Sequence, residues 1–363
     1  MLPRRRSLLA TGLLLGAAMF ALPGCTSLGY YWQSVSGHLQ LMNAARPVDD
    51  WLQDGSTPDK LKTRLALSRE IRRFAVSELK LPDNASYQRY ADLHRSAAVW
   101  NVTAAPALSL TLETWCFPVA GCVGYRGYFD EREARAEAAR LKAQGLDVDV
   151  YGVSAYSTLG WMNWAGGDPL LSTFVGYPEG ELARLIFHEL AHQVAYAKDD
   201  TAFNESFATT VERLGAARWL AAHGSETVKK DYAAVEIKRR QFRELTRDTR
   251  RRLARIYESN TAPALTEQAR LAMKKEALEE FRSRYAALKA AWSGPAGSTA
   301  GYDRWVAQAN NASFGAQAAY DDLVPAFEAL FNRLGGNWQA FYDEVRRLAR
   351  LPEDERDKIL ALR

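Results

Sequence analysis

The pattern of hydrophobic and polar positions along the chain predicts mostly helices. Residues 30–100 carry apolar side chains at helical spacing, interrupted by prolines, and therefore predict a series of helices. Apolar and polar residues alternate from Leu146 to Val153, as in a β-strand with one buried face. A stretch rich in Ser, Gly, Trp and Tyr follows over 154–177 and predicts strand mixed with loop. From residue 181 onward nearly every segment has a helical pattern, so we expect a helix-rich α+β fold with a small mixed sheet.

Long helices are predicted in the C-terminal half of the chain. After the basic stretch 229–255, apolar side chains recur at intervals of seven, three, four, three and four, at Leu271, Leu278, Phe281, Tyr285, Leu288 and Trp292. This heptad-like spacing predicts a helical hairpin over about 226–292 that turns near Pro263. A charged amphipathic helix is expected over 131–144, and a loop over 293–298 is expected before the last helices.

Composition and charge indicate a globular protein and give no reason to expect a nucleic-acid partner. Hydrophobic residues make up 47% of the 363 residues and charged residues 25%, which excludes disorder or a fibrous architecture for most of the chain. Arg4, Arg5 and Arg6 supply three charges of the formal net charge of +4, so little positive charge remains elsewhere. The length suffices for one large domain, which we expect over 25–363.

The first residues have the features of an export signal. Arg4–Arg6 precede an apolar run from Leu8 to Leu22, which is too short to span a bilayer comfortably. The sequence Leu22-Pro23-Gly24-Cys25 resembles the lipobox of bacterial lipoproteins. That resemblance implies a signal peptide over 1–24, a lipid on Cys25, and a lipid-anchored protein of the bacterial cell envelope that faces the periplasm, at the outer membrane. The alternative is an ordinary signal peptide with an incidental cysteine.

The two other cysteines lie close together in the sequence. Cys116 and Cys122 are separated by a segment that contains Pro118 and Gly121, which help the chain to turn. An exported protein folds in an oxidising compartment, so we predict a short-loop disulfide between them. The alternative is a zinc-binding pair, but no second pair of Cys or His lies nearby in the sequence.

The candidate chemistry is concentrated in Leu185–Gln193, which contains a His-Glu-x-x-His motif. His188 and His192 are four residues apart, so on a helix both imidazoles point the same way and can bind one metal ion. Glu189 lies beside the first histidine and can face a metal-bound water without binding the metal itself. The alternative is a pair of structural histidines in a helical core.

A catalytic zinc takes three protein ligands, and the next predicted helix offers the third. That helix begins after Asp200 or Thr201, both good N-caps, and it carries Glu205 on its first turns. Glu212 lies two turns further on and is expected to bond a ligand imidazole. We also consider the reverse assignment, in which Glu212 binds the metal and Glu205 supports it.

The combined motif resembles the gluzincin metallopeptidases. His188-Glu189-x-x-His192, followed by Asn204-Glu205-x-Phe207-Ala208, is similar to the pattern that supplies the glutamate ligand in gluzincin aminopeptidases. The stretches 115–129, 156–161 and 168–173 resemble a family of bacterial lipoproteins described as predicted zinc aminopeptidases. The resemblance implies a zincin-like metallopeptidase domain, a Zn²⁺ cofactor and aminopeptidase activity.

The chain departs from that pattern in two places. Only twelve residues separate His192 from Glu205, so the connection between the two helices must be tight. Residues 162–167 also form a longer loop than the resemblance leads us to expect.

The expected mechanism is hydrolysis of a peptide or protein substrate. Zinc lowers the pKa of its bound water toward about 7, and Glu189 would take the proton and pass it to the leaving amine. The oxyanion needs a further donor, for which we favour Tyr320 over Tyr156. An extended substrate can add to an edge strand within 147–177. The alternatives are an envelope endopeptidase, or a zinc-binding envelope scaffold lipoprotein with little turnover.

Overall fold

The computed structural model describes residues 24–117, 121–258, 265–292 and 299–361. The helices are α1 (Gly24–Ala44), α2 (Val48–Gln53), α3 (Asp59–Ser77), α4 (Glu131–Lys142), α5 (Glu179–Ala191), α6 (Thr201–His223), α7 (Glu226–Glu258), α8 (Glu267–Ala291), α9 (Ala300–Gln308), α10 (Asn311–Asp321), α11 (Val324–Arg333), α12 (Trp338–Ala349) and α13 (Glu353–Ala361). The strands are β1 (Arg46–Pro47), β2 (Arg89–Ala91), β3 (Val99–Ala105), β4 (Trp115–Phe117), β5 (Gly121–Val123), β6 (Arg126–Tyr128), β7 (Asp147–Val153) and β8 (Leu170–Leu171). The expected helix-rich α+β class, with small sheets and long helices, is confirmed.

The strands form small sheets beside the helices. In one of them β3 is central, with β6 and β7 antiparallel on either side, and the register of β3 with β7 runs from Val99 opposite Val153 to Ala105 opposite Asp147. The second sheet has the order β1-β2-β8 and is mixed, because β2 is antiparallel to β1 and parallel to β8. In the β4–β5 hairpin Cys116 lies opposite Cys122, and a disulfide joins them.

The main core lies between the helices that carry the candidate site. Leu182, Ile186, Phe187 and Leu190 of α5 are fully buried, because their spacing of four, one and three places them along one side of the helix. Phe187 packs against Phe74 of α3, with ring centroids 6.2 Å apart. Burying each of these side chains contributes about 2 kcal/mol. The core therefore fixes the rotation of α5, and with it the direction in which the histidines point.

The tight connection between α5 and α6 is fixed by hydrogen bonds and an ion pair of Asn204 and Asp200. The Asn204 side chain accepts a hydrogen bond from Ala197 N and donates one to Ala197 O, both at 2.7 Å. Asp200 caps α6 by accepting from Phe203 N at 2.9 Å, and its second carboxylate oxygen pairs with the buried Arg356 at 2.6 Å. The short connection expected from the sequence is thus built from buried, paired polar groups, which hold α6 against α5.

The prediction that residues 30–100 are helical is wrong for their last part. The helices end at Ser77, and the chain then forms β2 and enters β3 at Val99. Strand β3 is buried along most of its length between partners distant in sequence, so its sheet pairing, rather than its local pattern, determines its conformation.

The C-terminal helices follow the predicted hairpin. Helices α7 and α8 pack against each other, and Leu278, Phe281 and Tyr285 are buried between them and their neighbours, whereas Leu271 is exposed. The predicted turn near Pro263, the loop over 293–298 and nearly all of the signal segment 1–24 lie outside the described residues. Within the described part of the chain, no helix is long and apolar enough to cross a membrane.

Candidate metal centre

Three side chains from α5 and α6 converge on one point. His188 Nε2 lies 3.2 Å from Glu205 Oε2 and 3.2 Å from His192 Nε2, and His192 Nε2 lies 3.6 Å from the same carboxylate oxygen. His192 follows the last residue of α5 but keeps helical backbone angles, φ −58° and ψ −23°, so its ring stays one turn from that of His188. The side chains of these residues are at most 13% exposed. The arrangement is a buried triangle of two imidazole nitrogens and one carboxylate oxygen.

This triangle fits a zinc ion. Ligands at zinc–nitrogen distances of about 2.1 Å in tetrahedral geometry lie about 3.4 Å apart, close to the three separations seen here. Glu205 Oε2 is buried and has no aligned hydrogen-bond donor, so a charged atom is unsatisfied where a cation would bind. Two histidines and one glutamate are also a ligand set of catalytic zinc sites that keep a fourth position open. His188, His192 and Glu205 are the one such group of potential ligands within the described residues.

Glu212 lies on the other side of His188. Its Oε2 atom is 3.1 Å from His188 Nδ1, the ring nitrogen that faces away from the triangle. Its Oε1 atom pairs with Arg184, which is 7% exposed and also pairs with Glu236 of α7. Glu212 therefore contacts a ligand histidine, as expected for an orienting carboxylate, while Glu205 is the glutamate at the triangle.

Arg184 was not among the site residues predicted from the sequence. It precedes His188 by one helical turn and is the basic residue within an otherwise apolar stretch of α5, from Leu182 to Phe187. A charged residue in such a stretch usually has a buried partner of opposite charge. The charge of Arg184 among apolar residues was therefore the feature of the sequence that could have predicted its role.

Charges around the triangle favour a cation there. Burial opposes protonation of His188, but the carboxylates of Glu205 and Glu212 outweigh burial and raise the pKa of its imidazole. Burial alone would raise the pKa of Glu205, but the neighbouring His192 and His188 outweigh it and hold the pKa below its usual range. In Glu212, Arg184 and His188 outweigh burial and lower the pKa to about 2. Both glutamates are thus anionic at neutral pH, and a metal ion can supply the positive charge that they demand.

Glu189 lies where two cavities meet. A cavity of about 360 Å³ lies on one side and a cavity of about 750 Å³ on the other, and both are lined by His188, Glu189 and Tyr320. The smaller cavity is bounded by α1 and the disulfide hairpin, and the larger one by α7, α9 and α10. All three residues of the triangle line the smaller cavity, whereas His188 is the one that also lines the larger cavity. The two cavities are here together called the cleft.

The structure places the two candidate oxyanion donors differently. The Tyr320 ring lies nearly parallel to the His188 ring, with centroids 6.3 Å apart. The Glu205 carboxylate raises the pKa of the Tyr320 hydroxyl well above the usual value. Tyr320 therefore stays protonated and can donate a hydrogen bond. Tyr156 also lines the smaller cavity, but its hydroxyl is 3.1 Å from His38 Nδ1.

Two tyrosines beside the triangle were not singled out as donors from the sequence. Tyr125 and Tyr196 line the smaller cavity, and burial, followed by the nearby Glu205 carboxylate, raises the pKa of each. They come from the strand β6 region and from the connection after α5, so no local spacing relates them to the histidine motif.

Strand β7 forms one side of the cleft. It is the edge strand of its sheet, and Val153 and Ala155 line both cavities. The Asn310 side chain donates to Val148 O, so the start of this edge is covered by the cap of α10, while its end faces the cleft. Of the two edge strands within 147–177, β7 and β8, it is β7 that lines the cleft.

A buried carboxylate holds the loop that follows β7. Asp168 accepts hydrogen bonds from Thr158 N at 3.0 Å and Thr158 Oγ1 at 2.7 Å, and Gln193 Nε2 lies 3.4 Å away. Gln193 directly follows His192 of the triangle, so this contact links the loop to the end of α5. The longer loop at 162–167 contains a 3₁₀ turn at Asn163–Ala165 and lies against the same polar cluster.

The comparison with protein families finds one that spans most of the chain. The family model described as "Putative aminopeptidase" matches residues 29–360. The chain belongs to that family. The family description names peptidase chemistry, and the matched range includes both histidines and both glutamates of the site. The comparisons find no match to this chain among curated proteins or among solved structures.

Proposed function

We propose that this protein is a zinc-dependent peptidase, in the first place an aminopeptidase, with His188, His192 and Glu205 as the metal ligands. The observation that carries the proposal is the triangle of their donor atoms in the lining of the cleft, with Glu189 beside it. Membership in an aminopeptidase family supports the reaction class. The zincin-like assignment of the domain over 25–363 belongs to the same proposal, which the helix–connection–helix arrangement of the ligands supports.

The residues around the site each have a part in peptide hydrolysis. Zinc, when bound, supplies a water of lowered pKa, near about 7, and an electrophile for the substrate carbonyl. Glu189 accepts the proton of the attacking water and then donates it to the leaving amine. Tyr320 donates a hydrogen bond from its hydroxyl to the oxyanion that develops on the substrate carbonyl. Glu212 holds the His188 ring in position, and the end of β7 pairs with the extended substrate backbone.

The decisive experiment is the Glu189→Gln variant. Gln keeps the size and hydrogen-bonding capacity of Glu189 but cannot act as a base, so hydrolysis should fall by about a hundredfold or more. Zinc content and thermal stability should stay at wild-type values. Glu70→Gln, an exposed glutamate of α3, is the matched control and should leave all of these unchanged. A Glu189→Gln variant that cleaves as fast as wild type would exclude this mechanism. A wild-type protein that binds zinc but cleaves no peptide in a broad panel would favour the scaffold alternative.

An endopeptidase is the second candidate, and one observation favours it. Among the described residues that line the smaller cavity, Glu189 and Glu205 are the carboxylates, and both belong to the metal centre. No further acidic group there holds a free substrate amine, and the cleft continues into the larger cavity on the other side. Matched peptides with free and acetylated N-termini, each with and without a chelator, separate the candidates. An aminopeptidase cleaves only the free peptides, whereas an endopeptidase cleaves both.

The location is proposed from the lipobox. We place a signal peptide at 1–24, a lipid on Cys25, and the mature protein on the periplasmic side of the bacterial envelope, at the outer membrane. Cys25→Ser should abolish incorporation of labelled palmitate and change the membrane association. Cys116→Ser removes a cysteine outside the lipobox and should keep the label. Palmitate on the Cys25→Ser variant would refute the assignment.

A further inference from the structure

Helix α1 has one face that packs against the rest of the protein. Tyr30, Ser34, Gly37 and Leu41 fall within one sector of the helix, because each residue turns the direction by about 100°. Tyr30 and Ser34 line the smaller cavity, and Leu41 is fully buried. At Gly37 a Cβ atom would overlap the Phe129 ring, so the backbone of α1 lies directly on its neighbour. This face is occupied by the fold.

The opposite face of α1 is apolar and exposed. Trp32, Val35 and Leu39, here called the outer stripe, are 75%, 55% and 53% exposed. Their spacing of three and four places them together, about 180° from the packed face. A helix that faces water usually presents polar or charged residues on that side. Helix α1 carries no Asp, Glu, Lys or Arg from Gly24 to Ala44, so nothing charged interrupts the stripe.

The chain that precedes α1 is the most apolar part of the sequence. The run from Leu8 to Leu22 ends next to Gly24, the first residue of the helix, and Cys25 is the second. With this apolar run kept, or with the lipid on Cys25 that we propose, an apolar group that favours the membrane is attached to the first turn of α1. The inference below rests on that proposed anchor. At a rise of 1.5 Å per residue, Trp32 lies about 10 Å and Leu39 about 21 Å along the helix from that point.

We infer that the outer stripe of α1 docks on the surface of the lipid bilayer, with the helix axis along the membrane plane. An uncharged helix with Trp and aliphatic side chains on one face fits the boundary between headgroups and acyl chains, where Trp is favoured. The packed face of the same helix lines the smaller cavity. Docking therefore holds that cavity within about one helix diameter, roughly 10 Å, of the bilayer. This inference does not depend on the proposed peptidase activity.

Quenching of tryptophan emission by lipid tests the docking. The full-length protein, isolated from membranes, is reconstituted in vesicles of phosphatidylethanolamine and phosphatidylglycerol, with and without acyl-chain-brominated lipid. Brominated lipid should quench part of the emission, and Trp32→Tyr should remove about half or more of the quenched part. Val35→Ser/Leu39→Ser should lower it about twofold or more, because the stripe then loses its apolar area. Leu271→Ser/Met273→Ser changes two exposed apolar residues of α8 and should leave it unchanged.

Two results would overturn the inference. If Trp32→Tyr leaves the lipid-quenched emission at the wild-type value while the protein stays on the vesicles, the stripe stands off the bilayer. If Val35→Ser/Leu39→Ser abolishes chemical cross-linking between copies of the protein without changing lipid quenching, the stripe is a contact with a second copy. Neither measurement involves hydrolysis, so a negative result here leaves the peptidase proposal unaffected.

Discussion

The two glutamates of α6 contact the same histidine from opposite sides, and exchanging each for Gln should have different consequences. Glu205 Oε2 lies 3.2 Å from His188 Nε2, within the triangle of donor atoms. Glu212 Oε2 lies 3.1 Å from His188 Nδ1, on the far side of the ring. Both substitutions replace a carboxylate by an amide. In Glu205→Gln this removes the proposed metal ligand, and in Glu212→Gln it removes the carboxylate that orients His188.

The expected losses of zinc affinity differ by about a power of ten. Removing an orienting partner of a ligand histidine costs about 10–100-fold in metal affinity, or about 1.4–2.7 kcal/mol. Zinc bound by four ligands gains about 10–16 kcal/mol, so one ligand accounts for about 3–4 kcal/mol, or several hundredfold. We therefore expect about thirtyfold weaker binding for Glu212→Gln and no retained zinc after dialysis for Glu205→Gln.

Glu212→Gln should also lower the stability of the metal-free protein. Its charge partner Arg184 is 7% exposed and would keep Glu236 alone as a counter-ion. Because the Gln amide oxygen can still accept a hydrogen bond, the cost should be about 2 kcal/mol rather than the larger cost of a broken buried pair. Glu205→Gln removes the negative charge that His188 and His192 stabilise, so it should also lower the free energy of unfolding of the metal-free protein.

Competition with a chromophoric chelator measures the zinc affinity, and urea denaturation of the metal-free variants measures the stability. Glu70→Gln serves again as the control on an exposed carboxylate. If Glu212→Gln loses zinc as completely as we expect of Glu205→Gln, and Glu205→Gln retains it, the roles of the two glutamates are exchanged. If both retain zinc fully, the ion binds elsewhere and the site derived from the triangle is wrong.

Three further predictions concern the surroundings of the triangle. Tyr320→Phe should lower kcat about 10–100-fold with little change in KM, whereas Tyr156→Phe should leave kcat unchanged. Equal losses of kcat in both variants would contradict the assignment of Tyr320 as the oxyanion donor. Burial raises the pKa of Asp168 to about 6 in the folded protein, so between about pH 6 and pH 4 the folded state binds more protons than the unfolded state. The contribution of Asp168 to the free energy of unfolding should therefore rise by up to about 3 kcal/mol as the pH falls through that range. Asp168→Asn should flatten this dependence in urea denaturation, and an unchanged slope would exclude Asp168 as its origin. Cys116→Ser/Cys122→Ser opens a loop with a sequence separation of only 6 and should lower the free energy of unfolding by about 2 kcal/mol. A loss above about 5 kcal/mol would show that the disulfide acts through more than loop closure.

Much of the candidate site could be predicted from the sequence, because it depends on spacing within single helices. His188 and His192 are four residues apart on α5, and helical geometry alone places their rings one turn apart on one side. Asp200 likewise marks the start of α6, because its side chain can cap the first free amides. The alternation over Leu146–Val153 identified β7 for the same reason, since it has the period of a strand.

The position of Glu205 relative to Glu212 was decided only by the tertiary structure. Both residues lie on α6 and both reach His188, so no spacing within α6 distinguishes the ligand from the orienting partner. The packing of α6 on α5, held by Asn204 against Ala197, aims Glu205 at the triangle and Glu212 at Nδ1. Arg184 is defined in the same way, because its two carboxylate partners come from α6 and α7.

The strands at the end of residues 30–100 also could not be predicted from the local pattern of apolar and polar residues. In β3, Trp100 lies between Tyr128 and Gly152, which are 28 and 52 residues away in the sequence, and these pairings make β3 the central strand of its sheet. Sequence periodicity shows which face of a single helix or strand is buried and which is exposed to solvent. It therefore predicted the helices, the edge strand and the histidine pair. The relative placement of elements depends on contacts between residues far apart in the chain. For that reason only the folded structure shows Glu205 at the triangle, Arg184 paired with Glu212, and β3 paired with β7.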